Sequence, residues 1–131
     1  MRTIKIDRKT WLRGGVNMMV PVEGMTVEEA REAGGDWLQE DSMLLRDDGL
    51  MCCIGQACSQ LGTLRAALEF KSTTDELERE QTPEEFRTEE ASARLSMAYS
   101  INDDEDTTDA EKEAALVPLF AEMNIQAEFI N

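Results

Sequence analysis

Between Leu44 and Gly62 the chain reads Leu-Leu-Arg-Asp-Asp-Gly-Leu-Met-Cys-Cys-Ile-Gly-Gln-Ala-Cys-Ser-Gln-Leu-Gly, and no other stretch limits the possible folds as much. It holds all three cysteines, a strong turn signal and the least charged run of a chain in which 31% of residues are charged. Arg46-Asp47-Asp48-Gly49 provides a glycine for the positive φ of a tight turn, which predicts a β-hairpin with arms Met43 to Leu45 and Leu50 to Cys52. From Cys53 the period changes: Ile54, Ala57, Cys58 and Leu61 fall at i, i+3, i+4 and i+7, one apolar helix face, and Gly62 terminates it. Gly55 inside that helix costs about 1 kcal/mol against Ala, so a hairpin arm or another helix is expected to pack closely over it. Gly49, Cys52, Cys53, Ile54, Gly55, Cys58 and Leu61 are therefore the candidate structural hub.

The remaining segments are predicted to assemble around this hub. Arg2 to Asp7 alternates, with Ile4 and Ile6 inward, as a half-buried strand, and Trp11 closes the same core. Arg13-Gly14-Gly15 breaks the chain, and Val16 to Met25 is read as a loop because of Pro21 and Gly24. Thr26 caps a short helix ending at Gly34-Gly35, and Asp36 to Asp41 is a turn-like segment that places Trp37 on the core. Leu64 to Phe70 is a further short helix. Glu89 to Ser100 is helical through Ala91, Leu95, Ala98 and Tyr99. Thr108-Asp109-Ala110-Glu111 is a capping box opening a last helix, with Leu116, Leu119, Phe120 and Met123 as its buried stripe and Pro118 as a kink. The end, Ile125 to Phe129, alternates again, and pairing it with the first strand sets Glu128 near Lys5. The expected fold is α+β: a small antiparallel sheet, made of the N- and C-terminal strands plus the central hairpin, packed against three or four helices. At 131 residues this is one domain, 1–131, with an acidic segment at about 71–88 expected to be mobile.

Charge is the second constraint. The formal net charge is −15, and it is uneven: residues 1–71 hold 11 acids and 9 bases, residues 72–131 hold 17 acids and 4 bases. Arg2, Lys5, Arg8, Lys9 and Arg13 crowd the start. Such acidity repels phosphates, so direct nucleic-acid binding is disfavoured and basic partners, or surfaces that normally bind nucleic acid, are favoured. Three cysteines, two of them adjacent, write no disulfide framework, which points to a reducing cytoplasm. No run of about eighteen apolar residues predicts a membrane span, and no secretory signal is read.

The sequence resembles a group of small, largely uncharacterised proteins of tailed phages and prophages. The pieces that carry the resemblance are Lys5-Ile6-Asp7-Arg8 to Trp11, Arg13-Gly14-Gly15, Asp48-Gly49-Leu50-Met51-Cys52-Cys53-Ile54-Gly55, and Ile101-Asn102-Asp103-Asp104 leading to Leu119-Phe120-Ala121-Glu122. The Gly-Leu-Met-Cys-Cys-Ile-Gly piece, Gly49 to Gly55, is the specific one, with Ile54 where such proteins usually have Leu, and Phe70 to Arg87 has no counterpart. The resemblance implies a phage accessory protein of the host cytoplasm and no known activity.

Chemistry is sparsely signalled. A thiol at a helix N-terminus can become a reactive thiolate, but buried cysteines act as small hydrophobes, and a chain without histidine has no Cys-His dyad. Cys52, Cys53 and Cys58 lack zinc spacing, and Asn102 to Asp106 lacks the glycine and distal glutamate of a calcium loop. No catalytic, cofactor or metal residue is assigned, and the protein is read as a non-enzyme. The candidate partner-binding residues are Asp75, Glu76, Glu78, Glu80, Glu84, Glu85, Glu89, Glu90, Asp103, Asp104, Glu105 and Asp106, expected to line one face and imitate a phosphate array toward a basic host protein, in counter-defence. The alternatives are a structural or homo-oligomeric phage protein, then a thiol or metal module.

Overall fold

Alternating isoleucines at the start of the chain set the first element. The computed structural model describes residues 1–21, 37–39 and 43–131. Its element order is β1 (Arg2–Asp7), β2 (Met19–Pro21), β3 (Trp37–Gln39), α1 (Cys53–Gln60), α2 (Arg65–Leu68), three single 3-10 turns (Thr74–Glu76, Arg79–Gln81, Glu84–Phe86), α3 (Glu89–Asp103), α4 (Asp109–Glu122) and β4 (Ile125–Ile130). The fold is α+β. Ile4 and Ile6 of β1 and Ile125 and Ala127 of β4 are buried, while Thr3, Lys5, Gln126 and Glu128 face solvent, as a period of two requires of a sheet covered on one face.

The sheet differs from the sequence expectation. β1 and β4 pair parallel, with Ile4 opposite Ala127 and Lys5 opposite Glu128, and not antiparallel. The alternating pattern fixes which side chains point inward but carries no direction, so it fits both pairings. Direction comes from α4, which turns back through Met123 and Asn124, the latter at φ 63°, and from a connection between β1 and β4 long enough for the crossover a parallel pair needs.

The central hairpin is the second correction. Residues 46–49 do turn, with Arg46 N–H on Leu50 O at 2.8 Å and Gly49 N–H on Arg46 O at 3.0 Å, but the arms form no strand pair in the sheet. Leu44 N–H bonds Lys71 O (2.8 Å), Met51 N–H bonds Thr10 O (2.9 Å), and Leu12 N–H bonds Met51 O (2.8 Å). The arms keep two bonds to each other, Arg46 N–H to Leu50 O and Cys52 N–H to Met43 O (3.1 Å), but other backbone groups of theirs bond two different segments, so no ladder extends along them. A third difference lies at β2 and β3, which pair antiparallel with Val20 opposite Leu38 where the sequence reading had a loop and a turn. Three-residue strands are too short to show a period, and a proline at a strand end is tolerated. The helix expected from Thr26 to Gly35 lies outside the described residues.

β1 has a second edge, and α1 covers it with side chains in place of a strand. Gln56 Oε1 accepts from Asp7 N–H (2.7 Å) while its Nε2 donates to Asp7 O (3.1 Å). Gln60, one turn on, does the same with Lys5, at 2.6 and 2.5 Å. Each amide mimics one residue of a neighbouring strand, so the edge backbone is satisfied.

α1 is capped by Cys52, whose Sγ accepts from Gly55 N–H at 3.4 Å. It ends in a 6→1 bond from Thr63 N–H to Cys58 O (3.0 Å) beside Gly62. Gly55 does have a close neighbour: a Cβ there would fall on the Leu44 carbonyl, so the turn arm lies directly on the helix backbone. α4 opens with the expected capping box of Thr108 and Glu111 and buries Leu116, Leu119 and Phe120, with Met123 just beyond its end.

Gly55→Ala should therefore cost about 3 kcal/mol or more by overpacking. Gly49→Ala should cost only the left-handed strain, about 1–2 kcal/mol, since its φ is 89° and the nearest atom to a new Cβ is Arg65 Nη2 at 3.9 Å. Urea denaturation midpoints of the two variants would compare them directly.

Candidate functional site

The acidic candidates fall into groups spread along α3 and the turns before it. Glu84 and Glu85 lie in the last 3-10 turn, Glu89 and Glu90 in the first turn of α3, and Asp103 to Asp106 at the other end of that helix. At 1.5 Å per residue, the fifteen residues of α3 hold these groups roughly 20 Å apart. Asp75, Glu76, Glu78 and Glu80 sit in the preceding turns, where Glu76 accepts from Ser72 N–H (3.1 Å).

The N-terminal group of α3 lines a groove. Glu84, Glu85 and Glu90 meet Arg94, Glu122 and Met123 around an open cleft of about 580 Å³. Arg94 and Glu122 form a 3.4 Å ion pair there. Glu122 and Arg94 were not among the sequence candidates, because only the reversal between α3 and α4 brings the end of one helix beside the start of the other. Part of the acidity also serves the fold: Glu89 and Glu90 favour the positive N-terminus of α3.

The other group closes on the protein itself. Lys112 is 1% exposed, and its ammonium donates to Asp104 O (2.5 Å), Thr107 O (2.8 Å) and Thr107 Oγ1 (2.7 Å). The loop therefore wraps around an internal cation where a calcium loop would hold a metal. Among the described residues no group of three or more Cys, Asp or Glu is placed to hold a metal ion.

The basic start of the chain is bound to the acidic half. Arg13 makes a two-point pair with Asp109 (2.7 and 2.8 Å), and its guanidinium lies 4.7 Å over the Trp11 ring. Arg8 pairs with Glu113 (Nε–Oε2 3.0 Å), Arg2 with Glu85 (Nε–Oε2 2.7 Å), and Arg46 with Asp48 (2.8 Å). The Arg13 hydrogen bonds hold the Asp109 carboxyl below its ordinary range, and Arg2 does the same for Glu85. Burial alone would raise Asp48, but bonds from Arg46 and the Leu50 N–H bring it below its ordinary value.

Several scattered segments, the cysteine helix among them, meet at one buried residue just beyond the predicted end of the helix from Glu89 to Ser100. Asn102, 0% exposed, lies in the last turn of α3. Its Oδ1 accepts from Trp11 Nε1–H (2.8 Å) and Cys53 N–H (3.0 Å), and its Nδ2 donates to Leu12 O (2.9 Å) and Asp103 Oδ1 (3.0 Å). Its carbonyl takes Gly14 N–H (2.9 Å), and a Cβ on Gly14 would fall on Asp103 O. Cys52, Cys53 and Cys58 are fully buried. Burial pushes the Cys53 thiol well up and Cys58 to about 12, the reverse of an activated thiolate. Gly49, Cys52, Cys53, Ile54, Gly55 and Cys58 thus stand at the centre of the core or its turn, with Leu61 partly buried against it.

No family model, curated protein or solved structure matches this chain. No helix among the described residues is long and apolar enough to cross a membrane.

Two outcomes follow from this chemistry. In a thiol titration near pH 8 the native protein should release almost no signal over minutes, and all three cysteines should react once it is denatured. For acid, the Asp109, Glu85 and Asp48 carboxyls titrate lower folded than unfolded, so their stabilisation is present above the unfolded value of about 4 and is lost as pH falls through the folded value. Asp109→Asn should lower stability at neutral pH and flatten its decline below about pH 4, as read by urea midpoints across pH.

Proposed function

We propose that this is an acidic accessory protein of a tailed phage that binds a basic host protein and modulates it, in counter-defence, by occupying a surface that normally holds nucleic acid. One observation carries the reading. Arg2, Arg8, Arg13 and Arg46 are each paired with a carboxylate of the same chain and Lys112 is enclosed, so these five cations are already committed within the fold. Glu84, Glu90 and Glu122 line the groove, where Glu122 meets Arg94, and exposed Glu89 precedes Glu90 in the first turn of α3. A groove of that sign attracts lysine and arginine side chains and steers a basic partner at low ionic strength. The resemblance of the Met51 to Gly55 piece and the segments around it to phage proteins supplies the biological setting.

The acidic face near the start of α3 is the binding face in this reading, with the loop at Asp103 to Asp106 as a second, separate contact. Glu85 belongs to the fold through Arg2 and is left out of the test. A variant with Glu84, Glu89, Glu90 and Glu122 changed to Lys, checked for wild-type circular dichroism, should lose basic proteins that the wild type retains from host lysate at about 0.05 M salt. Wild-type retention should itself disappear near 0.5 M salt. A charge-reversed variant that captures the same proteins as strongly would refute the proposal.

A further inference from the structure

One aromatic side chain is held where the fold gains nothing from it. Phe70 follows α2 and is 80% exposed, while Leu68 two residues earlier is fully buried. Its backbone is left-handed, φ 64°, a conformation that glycine adopts freely and a bulky L residue adopts against steric resistance. Strain and an exposed ring at the same position are two separate costs, and strained residues gather where a surface is used.

The neighbourhood supplies a place for such a ring. Phe70 stands on the rim of a cleft of about 220 Å³ lined by Leu45, Arg46, Asp47, Arg65 and Glu69. The cleft is open, and besides Phe70 itself Leu45 is its one apolar lining residue. The cleft walls carry both signs, with exposed Arg65 beside Glu69 and Asp47, and Leu64, 63% exposed, precedes the same helix. The charges around the cleft balance, Arg46 and Arg65 against Asp47 and Glu69, whereas the chain as a whole carries −15.

A two-fold interface must be complementary to itself, and this patch holds ring and cleft, cation and anion, side by side. We infer that two copies of the chain associate here, each Phe70 ring entering the cleft of the other, with Arg65 of one copy set against the acids of its partner. Bodies of charge −15 repel at long range, and only a near-neutral patch lets them approach. Dimerisation should therefore strengthen with salt, the opposite of the dependence expected for a basic partner.

Sedimentation of the full chain over a concentration series would test this. Wild type should show a monomer–dimer equilibrium whose dimer fraction rises from about 0.05 M to about 0.5 M salt. Phe70→Gly should weaken dimerisation about 30-fold or more while its thermal midpoint stays equal to or above wild type, because glycine relieves the backbone. Arg65→Glu should weaken it as well, and adding Glu69→Arg should restore it. A wild type that stays monomeric throughout, or a Phe70→Gly variant that dimerises as tightly, would overturn the inference. A monomeric wild type whose capture of a host protein is abolished by Phe70→Gly would overturn it in favour of a different occupant.

Discussion

Asn102 holds the molecule together at a point no solvent reaches. An amide side chain has two acceptor positions and two donor hydrogens, and here all four are engaged: by the Trp11 indole, by the first N–H of α1, by the Leu12 carbonyl and by Asp103. Each buried partner left unpaired would cost about 1–3 kcal/mol, so a single residue fixes the N-terminal segment, the cysteine helix and α3 relative to one another. Trp11, Leu12, Gly14, Cys53 and Asp103, scattered along the sequence, converge on this node. Trp11 stacks on Arg13 and lies 5.0 Å from the Phe129 ring, Gly14 admits the Asp103 backbone, and Gly55 admits that of Leu44. Their first role is to build the fold.

Electrostatics follows the same plan. The basic start and the acidic end of the sequence look like a lopsided charge distribution, but in space Arg2, Arg8 and Arg13 face Glu85, Glu113 and Asp109. Attraction between distant parts of the chain thus supports the parallel pairing of β1 with β4, which joins the two ends of the described fold. The acids that have no such partner are the ones available to another molecule.

Much of the local structure was legible in the sequence because it rests on short-range rules. The alternation of Ile4 and Ile6, the helix face of Ile54, Ala57 and Cys58, the capping box at Thr108 and the stripe through Leu119 and Phe120 each depend on residues within one or two turns. The glycine at position 55 even announced a close contact. Asn102 was hidden because a buried asparagine and a loop asparagine are the same letter, and Lys112 was hidden because a lysine normally stays in water. Gln56 and Gln60 gave no signal as edge caps, since their partner strand lies about 50 residues away.

The sequence by itself determined which residues turn inward, where α1, α3 and α4 begin, and that the surface is acidic, because periodicity, capping and charge are properties of neighbours along the chain. Only the tertiary structure decided that the terminal strands run parallel, that the arms of the central turn pair with other segments, and that the acids separate into a groove and a lysine-filled loop. Direction, partner and convergence are relations between distant residues, and they are settled by which buried polar groups find each other.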